Sequence, residues 1–287
     1  MPETGSFAAF ARRKEEAAHA AALEPFTTLA DNSANFLLEA ISNPFTDALL
    51  DGPFFQSPIP SGSVPALSLV FVQSRDGNTE ADNPSTLGGG QTDKHVIYEG
   101  LSRVGADAVL SGARTIGQGR ILLSVWHPAL VSLRRALGKP RHPAQVVMTA
   151  SGEIPIERGL LFNVPEIPVI ILSSDRAAPR LAERSRSRPW ITVITTGEPS
   201  NVRRGAERLR TALGIERISA IGGRVAATAL LDAGLVSDLY LTTSALSAGT
   251  PDTPMYAGTR PPRRDLVLRK HTVDGVVFEH FVLRPPH

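Results

Sequence analysis

Ile218-Ser219-Ala220-Ile221-Gly222-Gly223-Arg224-Val225 is an apolar, β-branched run that halts at two glycines and passes straight into a helical pattern reaching Ala233. A strand feeding a helix in this way is the repeating unit of an α/β sheet. The paired glycines let the backbone approach a ligand closely, and the amides of the first helical turn point at any anion placed there. A phosphate group suits that position, as does an ordinary strand-to-helix turn with no ligand.

A second junction of the same kind lies upstream. Ala106-Asp107-Ala108-Val109-Leu110-Ser111-Gly112-Ala113-Arg114-Thr115 is an apolar strand ending in Ser-Gly, and free amides, the Thr115 hydroxyl and the Arg114 guanidinium would converge beyond Gly112. Two such junctions on neighbouring parallel strands would grip the two ends of a dinucleotide, because ligands sit in the crevice beyond the carboxyl ends of strands. Arg114 as a solvated surface base is the plainer alternative. Gly88-Gly89-Gly90 and Gly117-Gln118-Gly119 lack the strand and helix context of a Rossmann fingerprint and read as loops. A third segment, Ser74-Arg75-Asp76-Gly77-Asn78, follows the first long strand. Asp76-Gly77 is a turn signal, and it would also set a carboxylate at the mouth of the cleft.

Working outward, short β-branched runs predict strands at 67–73, 108–111, 145–149, 169–173, 191–195, 217–221, 239–243, 266–272 and 276–283. Helical patterns fall between them at 92–104, 129–137, 178–186, 201–213 and 225–233. The Asp274-Gly275 turn demands an antiparallel hairpin of the last two strands. The expected fold class is α/β: a mixed sheet, mostly parallel with an antiparallel C-terminal hairpin, and helices on both faces. Residues 1–65 read as a helical N-terminal extension, with patches at 7–23 and 35–50 and a Pro/Ser/Gly-rich linker. The main domain is then 66–287. The extension packs on that domain or on a second subunit, or serves as a lid.

Composition removes several functions. With 42% hydrophobic content over 287 residues the chain can bury a full core, and 30 basic against 28 acidic residues give no basic footprint for nucleic acid. Aromatic residues at 6% offer no stacking platform. The absence of cysteine excludes a disulfide framework, a thiolate nucleophile and cysteine-ligated zinc, and with the last the pyrimidine deaminases. Charges at Glu3, Arg12, Arg13, Lys14, Glu15 and Glu16 precede any apolar stretch, and no run approaches the roughly 20 residues that span a bilayer. The expectation is a cytoplasmic protein with no membrane partner. Seven histidines are scattered without metal-site spacing, and Arg180 to Arg188 reads as a solvated helix end.

The three segments, in this order, resemble the reductase domain of the riboflavin-biosynthesis pyrimidine reductases. In that family a first strand ends Ser-Leu-Asp-Gly, a second reads Gly-Ala-Asp-Ala-Val-Leu-x-Gly-x-x-Thr, and a late one ends in an acidic residue with glycines before a helix closing Leu-Leu-x-Ala-Gly-Leu-Val-Asp-Glu. This chain has Ser74-Arg75-Asp76-Gly77, Gly105 through Thr115, and Gly222-Gly223 with Leu230-Leu231-Asp232-Ala233-Gly234-Leu235-Val236-Ser237-Asp238. The similarity runs over 67–283. It implies a dihydrofolate-reductase-like fold, NADPH as hydride donor and a homodimer. It places Thr115, Thr149, Gly222, Gly223, Arg224, Val225 and Ala226 at the cofactor, beside Gly112 and Arg114 from the junction itself. Arg103, and more loosely Asp76, would contact substrate.

The departures lie on the substrate side. Ile221 stands where the family carries its acidic residue, and the second junction continues Ile116-Gly117-Gln118-Gly119-Arg120 where the family has Val-x-x-Asp-Asp-Pro, with Trp126 near the position of a substrate-binding arginine. Asp76 is then the remaining candidate for the catalytic acid. Three readings stay open: a reductase of a pyrimidine, pteridine or related heterocycle, of which 5-amino-6-(5-phosphoribosylamino)uracil is the family's example; a reductase of another small molecule on the same cofactor pocket; or a nucleotide-binding scaffold without a substrate site.

Overall fold

A computed structural model describes residues 7–81, 83–117 and 121–284. Its strands are β1 (Thr27–Asp31), β2 (Glu39–Ile41), β3 (Phe54–Gln56), β4 (Ala66–Gln73), β5 (Ala108–Gly112), β6 (Ala144–Thr149), β7 (Val169–Ser173), β8 (Ile191–Thr195), β9 (Arg217–Ile221), β10 (Asp238–Thr243), β11 (Arg263–His271) and β12 (Val277–Arg284). Ten of them form one sheet in the order β1-β11-β12-β10-β4-β9-β5-β6-β7-β8. From β10 to β8 every pairing is parallel, and β12, β11 and β1 continue the sheet antiparallel. The mixed sheet and its C-terminal hairpin are as the sequence predicts.

The central strands are apolar on both sides because both faces are covered. Val70, Val109 and Ile221 point into one core with Val96, Ile97 and Leu101 of helix 90–104 and with Leu130 and Leu133 of helix Pro128–Ala136. Their strand neighbours Leu69, Leu110 and Ala220 point the other way, against helices Val202–Leu213 and Arg224–Asp232. Helix 90–104 is irregular: nine residues, Asp93–Leu101, are wound as a π-helix, with non-helical backbone at Gly100. A Cβ there would collide with Leu130 and lie 2.9 Å from the His95 carbonyl oxygen, so the close packing of the two helices depends on glycine.

The N-terminal segment is less helical than expected. Helix Phe7–His19 is present, but residues 35–50 hold only helix Pro44–Leu50, started by an Asn43–Thr46 capping box. Strand β1 pairs with β11 and so widens the main sheet, and β2 and β3 form a separate ribbon. Thr27-Thr28-Leu29-Ala30-Asp31 is a short edge strand whose exposed and half-buried residues alternate weakly, which is why its period is faint. The arm after β3 is pinned by the buried Asp238 carboxylate, which accepts from the Ser57 amide and hydroxyl, the Ser237 hydroxyl and His280 Nε2. Helix Phe7–His19 packs on the main body. Phe10 meets Trp126 edge-on at 5.7 Å, and Lys14 Nζ lies 2.7 Å from Glu99 Oε1. Among the described residues no helix is long and apolar enough to cross a membrane, and no group of three or more His, Asp or Glu could hold a metal ion.

Candidate functional site

The parallel register that pairs Ala108 with Ile218 and Leu110 with Ala220 brings the carboxyl ends of β5 and β9 side by side. Beyond β9, Gly222 and Gly223 take φ values of 32° and 92°, a region that L side chains avoid. A Cβ on Gly223 would stand 3.2 Å from Thr115 Oγ1, and one on Gly112 would stand 3.5 Å from the Ala226 methyl. The two junctions are in van der Waals contact. In helix Arg224–Asp232 the Ala227 amide bonds back to the Gly223 carbonyl, and no side chain caps the turn, so the amides of Arg224, Val225 and Ala226 remain available.

An open groove of about 470 Å³ runs along the outer side of helix Arg224–Asp232, between Arg114, Arg224, Val225, Glu80, Asp232 and Ala257. Arg114 makes no hydrogen bond or ion pair among the described residues. Arg224 Nε is buried without a partner, and Arg224 Nη1 is 4.0 Å from Glu80 Oε1. Asp232 accepts the Tyr256 hydroxyl at 2.6 Å. Val225 is 73% exposed, an apolar side chain left open at the groove. Two guanidiniums, three free amides and an apolar wall are the donor set that a phosphorylated nucleotide requires. Thr149, at the end of β6 beside β5, is buried, and its Oγ1 accepts the Gly152 amide at 3.0 Å.

The carboxyl ends of β4 and β10 make the other half of the crevice. Asp76 sits in the turn closed by the Gly77 amide on the Ser74 carbonyl, exposed, its Oδ1 accepting the Ser247 hydroxyl at 3.1 Å. The sequence reading missed a better-placed acid, Asp93. It lies over the Thr242–Val72 register pair of β10 and β4, accepts the Thr242 hydroxyl, and stands under the Gly88-Gly89-Gly90 loop. A Cβ on Gly89 would be 2.8 Å from Asp93 Oδ2 and 2.8 Å from Val72. Burial pushes the Asp93 carboxyl up to about 7, against the opposing pull of the Thr242 hydrogen bond. An aspartate in the first turn of a helix reads as a cap; nothing in its neighbours announces that the turn is buried.

Arg103, expected at the substrate, and the two departures Trp126 and Ile221 are all buried. Arg103 is only 1% exposed, donates to the Ser124 carbonyl at 2.9 Å and covers the Tyr98 ring. Helix 90–104 runs antiparallel to β4 and β5, so its last turn, with Arg103, reaches the amino edge of the sheet, away from the glycine turns. Trp126 is fully buried in a satellite core with Phe10, Leu122 and Ile167. Ile221 is 2% exposed and belongs to the main core. Residues 118–120 of the second junction lie outside the described residues.

The structure is similar to that of a pyrimidine reductase-like protein from Corynebacterium diphtheriae, with TM-score 0.62 and 19% identity over 77% of this chain and 92% of that one. RibD from Acinetobacter baumannii superposes with TM-score 0.58 at 17% identity; the match covers 78% of this chain and 59% of RibD. The riboflavin biosynthesis reductase of Saccharomyces cerevisiae gives TM-score 0.55 at 15% identity, covering 79% and 93%. At these identities the likeness is one of fold. No curated protein matches the chain. The profile of the RibD C-terminal domain matches residues 65–278, which take in every parallel strand and both glycine junctions. By that match the chain belongs to the RibD C-terminal domain family.

Proposed function

We propose that this protein is an NADPH-dependent reductase of a pyrimidine- or pteridine-type heterocycle, acting as a cytoplasmic homodimer. Family membership supports a reductase. The observation that carries the cofactor assignment is the contact between the Gly223 turn and Thr115, flanked by Arg114 and by Arg224, whose Nη1 stands 4.0 Å from Glu80 Oε1. Gly112, Thr115 and Gly222 through Ala226 would hold the cofactor's backbone-facing side, with the two guanidiniums on its phosphates; Thr149 would close the end nearest β6. When bound, NADPH supplies a hydride.

The chain's own residues supply position and a proton. Reduction of a C=N or C=O group adds hydride to carbon and a proton to the heteroatom. Asp93, half-protonated near pH 7 and screened from bulk water, is the group suited to deliver that proton. Thr242 fixes the carboxyl's orientation. Asp76 and Ser247 form a polar rim for the substrate's outer edge. With Ile221 apolar and buried, the acid comes from helix 90–104 instead of from the end of β9, so the favoured substrate differs from the ribosylaminopyrimidine phosphate of the family's example. This acid also speaks against a scaffold that has lost its substrate site.

The test is NADPH consumption by purified protein against a panel of aminopyrimidines and pterins, with and without a ribosyl phosphate. The reading expects at least one to accelerate consumption, and expects that activity to vanish in Asp93→Ala. A protein that binds no nucleotide and turns over no member of the panel contradicts it.

A further inference from the structure

We propose that Glu80 sets the anion affinity of the groove by holding the place of the cofactor's phosphate on Arg224. The inference rests on the cofactor assignment above and concerns which side chain tunes it. Four charged side chains line the groove: Arg114, Arg224, Glu80 and Asp232. Asp232 is committed to the Tyr256 hydroxyl, which leaves Glu80 as the carboxylate facing Arg224.

The backbone of Glu80 is fixed. Its carbonyl accepts the Thr250 amide at 2.8 Å, and the neighbouring Thr79 amide bonds the Thr253 carbonyl at 2.8 Å. Gly249 presses so closely that a Cβ there would be 2.8 Å from the Glu80 carbonyl oxygen. The side chain is open to solvent by contrast, 41% exposed, with its oxygen 4.0 Å from Arg224 Nη1, too far for a hydrogen bond. Arg224 Nε remains buried and unpartnered. A guanidinium in this state has a counter-ion but unsatisfied donors, and a phosphate oxygen would satisfy them better than Glu80 does. Entry of the phosphate then requires only that the Glu80 side chain swing into solvent, within a frame that stays fixed. The carboxylate opposes binding while it is there and keeps the empty groove from gathering weaker anions.

Calorimetric titration of wild type and Glu80→Gln with NADPH and with NADH, at low and at physiological ionic strength, tests this. Glu80 is a surface residue, and the amide keeps its shape. The variant should bind roughly three- to tenfold more tightly at low salt, the gain shrinking as salt rises. A gain confined to NADPH puts its additional phosphate in the groove, and an equal gain with NADH puts the pyrophosphate there; both support the proposal. Unchanged affinity overturns it, as does weaker binding, which would make Glu80 an acceptor for a ribose hydroxyl. If wild type binds neither nucleotide, the cofactor assignment itself fails and takes this inference with it.

Discussion

Thr115 Oγ1 lies 3.2 Å from the point where a Cβ on Gly223 would stand, so a hydroxyl from one strand-to-helix turn and a bare backbone from the other share one van der Waals contact. The position is doubly reserved for glycine, by space and by a φ of 92°. Gly223→Ala should cost about 1–3 kcal/mol in denaturant unfolding through backbone strain. It should also weaken NADPH binding by more than the same substitution at the open Gly138, which has positive φ and nothing within 4 Å.

Arg114 and Arg224 are the groove's cations. Replacing either with Gln should raise the Kd for NADPH about tenfold, the scale of one charge-assisted hydrogen bond. The salt dependence of binding should flatten in each variant. Titrations at three ionic strengths check both outcomes.

Asp93 ties rate and stability to pH in a direction opposite to most carboxylates. Its pKa is raised from 3.8 to about 7, so the folded protein holds this proton more tightly than the unfolded chain. Stability from this group is greatest below pH 3.8, falls as pH rises toward 7, and above 7 carries the full deficit of about 4 kcal/mol. Asp93→Asn should therefore be more stable than wild type at pH 8 and lose the advantage near pH 4, as read by denaturant midpoints. Turnover should fall about 10²- to 10⁴-fold in the same variant. Wild-type turnover should decline above pH 7 as the proton is lost.

The N-terminal helix is tied to the same helix as the acid. Glu99, 7% exposed, is pushed up by burial but held down to about 2 overall by His95, Lys14 and Arg103. Its contribution to stability is complete above pH 4.5 and disappears as pH falls through 2. Lys14→Met should cost about 1–3 kcal/mol at pH 7, because the buried Glu99 carboxylate loses the ammonium group that pairs with it. Thermal unfolding at pH 7 measures it.

Much of this was legible in sequence because the physics is local. Val109, Leu110, Ile218 and Ala220 announce strands buried on both faces, and Gly112 and Gly222-Gly223 mark where those strands stop. Their adjacency followed from the rule that such turns share one edge of a parallel sheet, and the β5–β9 pairing bears it out. Direction and depth were not legible. Arg103 and Asp93 sit ten residues apart on one helix, but only the first turn reaches the carboxyl edge. Trp126 is covered by Phe10, more than a hundred residues away in sequence. Strand β1 was missed because its stability comes from β11 and not from its own five residues.

Backbone amide hydrogen exchange, with and without saturating NADPH, addresses the clasp most directly. The account predicts that 111–115 and 222–226 gain protection together, and that Arg224→Gln diminishes the effect at both. Protection at neither segment, or at one without the other, would contradict it.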